Sequence, residues 1–232
     1  MTLPIDVDDP STWPAVVYET ASEWAYSCVG LATSTLDLPL PLEWDEVFRR
    51  LLVGHRVRAY HYTNLLPHEK NLILRDGLRP LSAELLSDRI DAAYEAGVFS
   101  CGEAEVLKRT HVFARGGQQY RESKVCLVLS KNHRERNLED CLPLLTTWGG
   151  EGIYRFAEAE PILDQLQRLG TPTVVSALVE INDGVLKMSI FPSLHKAFVA
   201  SLLGLEDVSA EVHYPAPIPP ASIEHIEEVD LS

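Results

Sequence analysis

Short strand-like runs and amphipathic helical runs are interspersed along this chain without strict β-α-β alternation. A doubly wound parallel sheet needs that alternation, so the pattern argues for an α+β fold. Strands are expected at residues 56–62, 111–114, 125–129, 173–181, 210–214 and 222–229. The run at 125–129 is wholly apolar, which suits a central strand buried on both faces. Helices are expected at 13–26, 43–52, 65–75, 82–96, 137–144, 158–169 and 193–203. Gly77, Gly97, Gly170 and Gly204 follow four of them as helix stops. Pro215, Pro217, Pro219 and Pro220 rule out a regular ladder between the last two strands. The helices before residue 54 read as an N-terminal helical appendage, residues 1–54, to a main domain at 55–232.

The chain has 232 residues, 46% of them hydrophobic and 23% charged, which supports one well-cored domain with a small addition. Its formal net charge of −14 opposes a duplex nucleic acid as partner, because phosphates would be repelled. Arg109, Arg115, Arg121, Lys124, Lys131, Arg134 and Arg136 do gather in one segment. Four cysteines without C-x-x-C spacing, and no leader-like start, fit a reducing cytoplasm rather than a disulfide scaffold. No apolar run approaches the roughly 18 residues of a membrane span, so no membrane partner is expected. The eight histidines show no helix-turn pairing with one another or with cysteine, so no metal is expected either.

Phosphate-binding glycine loops, the serine nucleophile elbow and the H-E-x-x-H zinc helix are all absent. Three constellations remain. In Tyr60-His61-Tyr62-Thr63, strand alternation turns His61 away from Tyr60 and Tyr62, and its imidazole and the Thr63 hydroxyl suit ribose hydroxyls. In Ala210-Glu211-Val212-His213-Tyr214, Glu211 shares a face with His213 and suits a carboxylate that stabilises a sugar cation. In Trp148-Gly149-Gly150-Glu151-Gly152-Ile153-Tyr154, glycines permit close ligand approach and two aromatics offer stacking faces. Arg115-Gly116-Gly117 with Arg121 is a weaker pyrophosphate cradle. Each also has a bland structural explanation: a core histidine, an edge carboxylate, a tight turn.

The stretches Tyr60-His61-Tyr62-Thr63 and Ile73-Leu74-Arg75-Asp76-Gly77-Leu78 resemble the opening of the ADP-ribosyltransferase superfamily. Residues 210–223, through Ile218-Pro219-Pro220-Ala221-Ser222-Ile223, resemble its end, notably in the DNA-targeting toxin and tRNA 2′-phosphotransferase branches. The resemblance implies a split mixed or antiparallel sheet with flanking helices. It implies NAD as substrate, held by His61 with Tyr62 and Thr63, and Glu211 as the catalytic acid. The Gly77–Leu85 stretch and the W-G-G-E-x-x-Y motif also resemble a bacterial group without known activity, in which light Glu151 competes with Glu211. Trp148, Tyr154, Arg115 and Tyr120 are further cofactor candidates, Tyr120 and Tyr154 both as nicotinamide-stacking residues. The expected function is ADP-ribosyl transfer, or NAD glycohydrolysis, to an unidentified acceptor. A non-catalytic nucleotide-sensing or protein-interaction module is the alternative. Phosphotransfer from an RNA 2′-phosphate would want arginines beside His61, such as Arg58 and Arg79.

Overall fold

A computed structural model of the chain describes residues 3–117, 121–131, 138–157, 161–181, 189–191, 193–205, 208 and 210–231. Its helices are α1 (Ala15–Cys28), α2 (Glu43–Leu52), α3 (Pro67–Asp76), α4 (Ala83–Glu95), α5 (Cys101–Thr110), α6 (Leu138–Thr146), α7 (Glu151–Ala157), α8 (Leu163–Leu166) and α9 (Leu194–Leu202). Its strands are β1 (Arg56–Leu65), β2 (Val125–Val128), β3 (Thr171–Glu180), β4 (Ser189–Phe191), β5 (Glu211–Tyr214) and β6 (Ile223–Glu228). They hydrogen-bond in the order β4-β5-β2-β1-β3-β6. The β1–β2 pair, with Tyr60 opposite Val128, and the β4–β5 pair, with Ile190 opposite Val212, are antiparallel. This is the α+β class expected from the interspersed pattern. No helix among the described residues is long and apolar enough to cross a membrane.

The chain divides into two compact units: Met1–His61, Cys126–Leu138 and Ser176–Pro215 form one, and Tyr62–Val125, Glu139–Val175 and Ala216–Ser232 the other. The first unit therefore includes the N-terminal helices, and no boundary falls at residue 54. The physical reason is aromatic packing. Both α1 and α2 pack against α9. Phe198 of α9 lies 4.6 Å from the Trp13 ring and 5.0 Å from Phe48, centre to centre. Asp45 of α2 accepts the His195 backbone N–H at 3.2 Å, its Nδ1–H at 3.1 Å, and the Arg49 Nε–H at 2.5 Å. These helices are core, not appendage.

In the second unit, α4 packs on α5 and α5 on α7 around Leu86, Ile90, Leu107, Trp148 and Ile153. Ser82 caps α4, accepting the Leu85 N–H, and α5 opens on a capping box of Ser100 and Glu103. Two expectations, the strand at 111–114 and the helix at 158–169, are corrected here. Residues 111–114 form a turn after α5, where the Val112 N–H bonds the Gly152 carbonyl rather than a ladder partner. Residues 151–157 are helical. Of the helix expected at 158–169, residues 158–160 lie outside the described residues, and only Leu163–Leu166 (α8) is helical among 161–169, the rest forming turns.

Candidate functional site

His61 lies on β1 in the first unit, half-buried, facing away from the buried Tyr60 and Tyr62 as strand alternation requires. Its Nδ1 sits 2.8 Å from the Cys126 carbonyl oxygen. A carbonyl only accepts, so Nδ1 carries the hydrogen of this bond. The imidazole is thus oriented by the neighbouring strand β2.

Cys126 links this histidine to the late acid. Its side chain, on β2, forms a cluster with Glu211 and His213 of β5, the adjacent strand, with one sulfur, one nitrogen and one oxygen all within 4.8 Å of one another. Glu211 and His213, two residues apart, share a face of β5. The His213 Nε2 lies 2.9 Å from Glu211 Oε1. Hydrogen bonding to the Cys126 sulfur and to Glu211 outweighs burial and pushes the His213 imidazole up to about 9. At neutral pH the ring is therefore an imidazolium facing a carboxylate. Glu211 keeps 40% of its side chain exposed, so a ligand can still reach it. The first unit thus brings together an oriented imidazole, a thiol, an accessible carboxylate and a cation. No family model, curated protein or solved structure matches this chain.

The remaining sequence candidates are placed differently. Thr63 is buried at 5% exposure and belongs, with Tyr62, to the second unit. Glu151 is in the second unit too, at the start of α7, ion-paired with Arg121; their side chains are 24% and 19% exposed. Trp148 offers no stacking face and is corrected as a cofactor residue. Its indole has no exposed surface, Phe99 lies 5.4 Å away, the Arg89 guanidinium sits 5.2 Å above the ring, and Nε1–H donates to Glu69 at 2.8 Å. Tyr154 packs against the same core. Arg115 is exposed in the turn after α5, and Tyr120 lies outside the described residues. Arg58 and Arg79, considered for RNA phosphate, donate to Asp6 at 2.7 Å and to Asp88 at 2.8 Å.

The glycines of the Trp148 motif serve packing rather than ligand approach. A Cβ on Gly149 would stand 2.7 Å from the Ile153 Cβ, and one on Gly152 would stand 3.2 Å from Leu86. Both Gly149 and Gly150 have positive φ, which turns the chain sharply into α7.

Sequence reasoning passed over Glu69, which is 4% exposed and organises the second unit. It accepts from Arg89 Nε at 2.6 Å, from the Leu66 N–H at 2.8 Å and from the Trp148 indole. Burial works against its charge, but Arg89 and these donors hold the carboxyl below the usual range. A Pro-His-Glu start to a helix was the only signal, and it reads as ordinary.

Proposed function

We propose that this protein consumes NAD, passing ADP-ribose to an acceptor or to water. His61 positions the nicotinamide ribose. Glu211 stabilises the oxocarbenium-like state as the glycosidic bond breaks, its electron pair leaving with nicotinamide. The acceptor, or water, then bonds the ribose carbon and gives up its proton to solvent. The gain comes from positioning and electrostatics.

One observation carries the reading. Cys126 touches the two residues that the sequence singled out from opposite ends of the chain, its carbonyl bonding His61 and its thiol lying beside Glu211. A second supports it: the two stretches that carry the resemblance meet, with Leu78 and Ile218 exchanging backbone hydrogen bonds of 2.9 and 3.0 Å. Glu211 is preferred over Glu151 because it stands in the same compact unit as His61, whereas Glu151 belongs to the other unit.

The test is release of nicotinamide from NAD by purified protein, with E211Q, E151Q and H61A in parallel. E211Q is expected to cut turnover about 10²–10³-fold, the scale of losing one electrostatic stabiliser, and to lose more than E151Q. Absence of release by the wild type, or an E211Q variant as fast as the wild type, overturns the proposal. NAD binding without turnover would instead favour a nucleotide-sensing module on this fold.

A further inference from the structure

Glu211 and His213 leave one face of β5 two residues apart, and Cys126 faces them from the adjacent strand. Side chains at positions i and i+2 point the same way, and neighbouring strands lie about 4.8 Å apart, so the backbone itself holds three donors in one small volume. One nitrogen, one sulfur and one oxygen fall within 4.8 Å of each other. Around a tetrahedral zinc ion, bond lengths of about 2.0–2.3 Å put neighbouring donors roughly 3.4–3.6 Å apart. Separations of no more than 4.8 Å bracket that spacing, and the 2.9 Å His213–Glu211 hydrogen bond would open as the ion replaces its proton.

We propose that Cys126, Glu211 and His213 bind a zinc-like divalent cation, with a fourth position open to water or another donor. The donor set decides the class of metal. A thiolate with an imidazole favours zinc, and its spectroscopic surrogate cobalt, over magnesium or calcium, which take oxygen ligands. The charges also balance, since one thiolate and one carboxylate neutralise a dication around a neutral imidazole. All three residues belong to one compact unit and are half-buried, which leaves an entry path while limiting competition from water.

The inference goes beyond the proposed NAD chemistry, sharing with it Glu211 and the Cys126 that sits between Glu211 and His61. The two fail separately, because metal binding is read without NAD and nicotinamide release without metal. The experiment adds cobalt(II) chloride to the metal-free full-length protein and follows the absorption spectrum. One equivalent is expected to produce a thiolate-to-cobalt charge-transfer band in the near ultraviolet and tetrahedral d–d bands in the visible. Stoichiometric zinc should abolish both. C126S should lose the charge-transfer band, while C101S, which alters an exposed cysteine on α5, should keep it. H213A should weaken cobalt binding by more than the roughly 10–100-fold that loss of an outer-shell partner costs. A wild-type protein without the charge-transfer band overturns the proposal whatever the variants do. So does a C126S variant that keeps the wild-type spectrum.

Discussion

Gly77 ends α3 with φ +80° and ψ −166°, a region of backbone space open almost only to glycine. The sequence pattern marks it as a left-handed helix stop, and the structure gives it a stricter task. A Cβ there would stand 2.0 Å from the Ile218 carbonyl oxygen, the atom that accepts the Leu78 N–H. Gly77→Ala is therefore expected to destabilise by about 1–3 kcal/mol from backbone strain, with the displaced Leu78–Ile218 bridge adding to it. A urea melt of G77A that matches the wild type would contradict the assignment. At this scale the chain was readable where one residue answers to its own neighbours. Gly77 after a helix, Ser82 before one and His61 on a strand all follow from local chemistry. Trp148 was misread because its surroundings come from distant segments. Beside two glycines an indole looks presented to a ligand, but Glu69, Arg89 and Phe99 enclose it.

Between elements, the contacts of α3 and α4 show which ion pairs carry weight. Glu69 of α3 and Arg89 of α4 pair with side chains only 6% and 20% exposed, while Lys70 of α3 pairs with Glu228, whose side chain is 67% exposed. Glu69→Ala leaves a buried guanidinium and an indole N–H without their acceptor, a loss of about 3–5 kcal/mol. Lys70→Ala removes a solvated pair and should cost no more than about 1 kcal/mol. Thermal melts of the two single variants compare these directly, and similar losses would refute the distinction. The same scale explains which elements were legible. The helix α2 was expected with its observed limits, because acids open it, arginines close it and its apolar face is periodic. The helix α5 was passed over although Ser100 and Glu103 spell a capping box. The strand β4, three residues long, is too short to show alternation and exists by pairing with β5. The Cys126, Glu211 and His213 cluster was hidden for a related reason: strand alternation already put Glu211 and His213 on one face, but Cys126 joins them only through the pairing of β2 with β5.

Over the whole molecule, 34 carboxylates and a net charge of −14 set two opposing responses to acid. Protonating exposed carboxylates relieves self-repulsion and favours the compact state. Asp45 acts in the other direction. Burial alone would raise its pKa, but hydrogen bonds from His195 and Arg49, with the Arg49 charge, bring it down from 3.8 to about 2. A carboxyl lowered by folding contributes stability that is fully present above its unfolded pKa and is lost as pH falls through the folded one. The contribution is roughly 2 kcal/mol, present at pH 5, declining below pH 4 and largely gone at pH 2. Bulk acid titration mixes the two effects, so a wild-type melt alone does not separate them. Comparison with Asp45→Asn does, because that variant keeps every other carboxylate. The stability gap between wild type and D45N, from urea melts followed by the fluorescence of Trp24 and Trp44 beside this cluster, should shrink by roughly 2 kcal/mol between pH 5 and pH 2. A gap that stays constant over that range would mean that the α2–α9 contact owes its strength to the aromatic packing of Phe48, Phe198 and Trp13, with Asp45 filling space beside it.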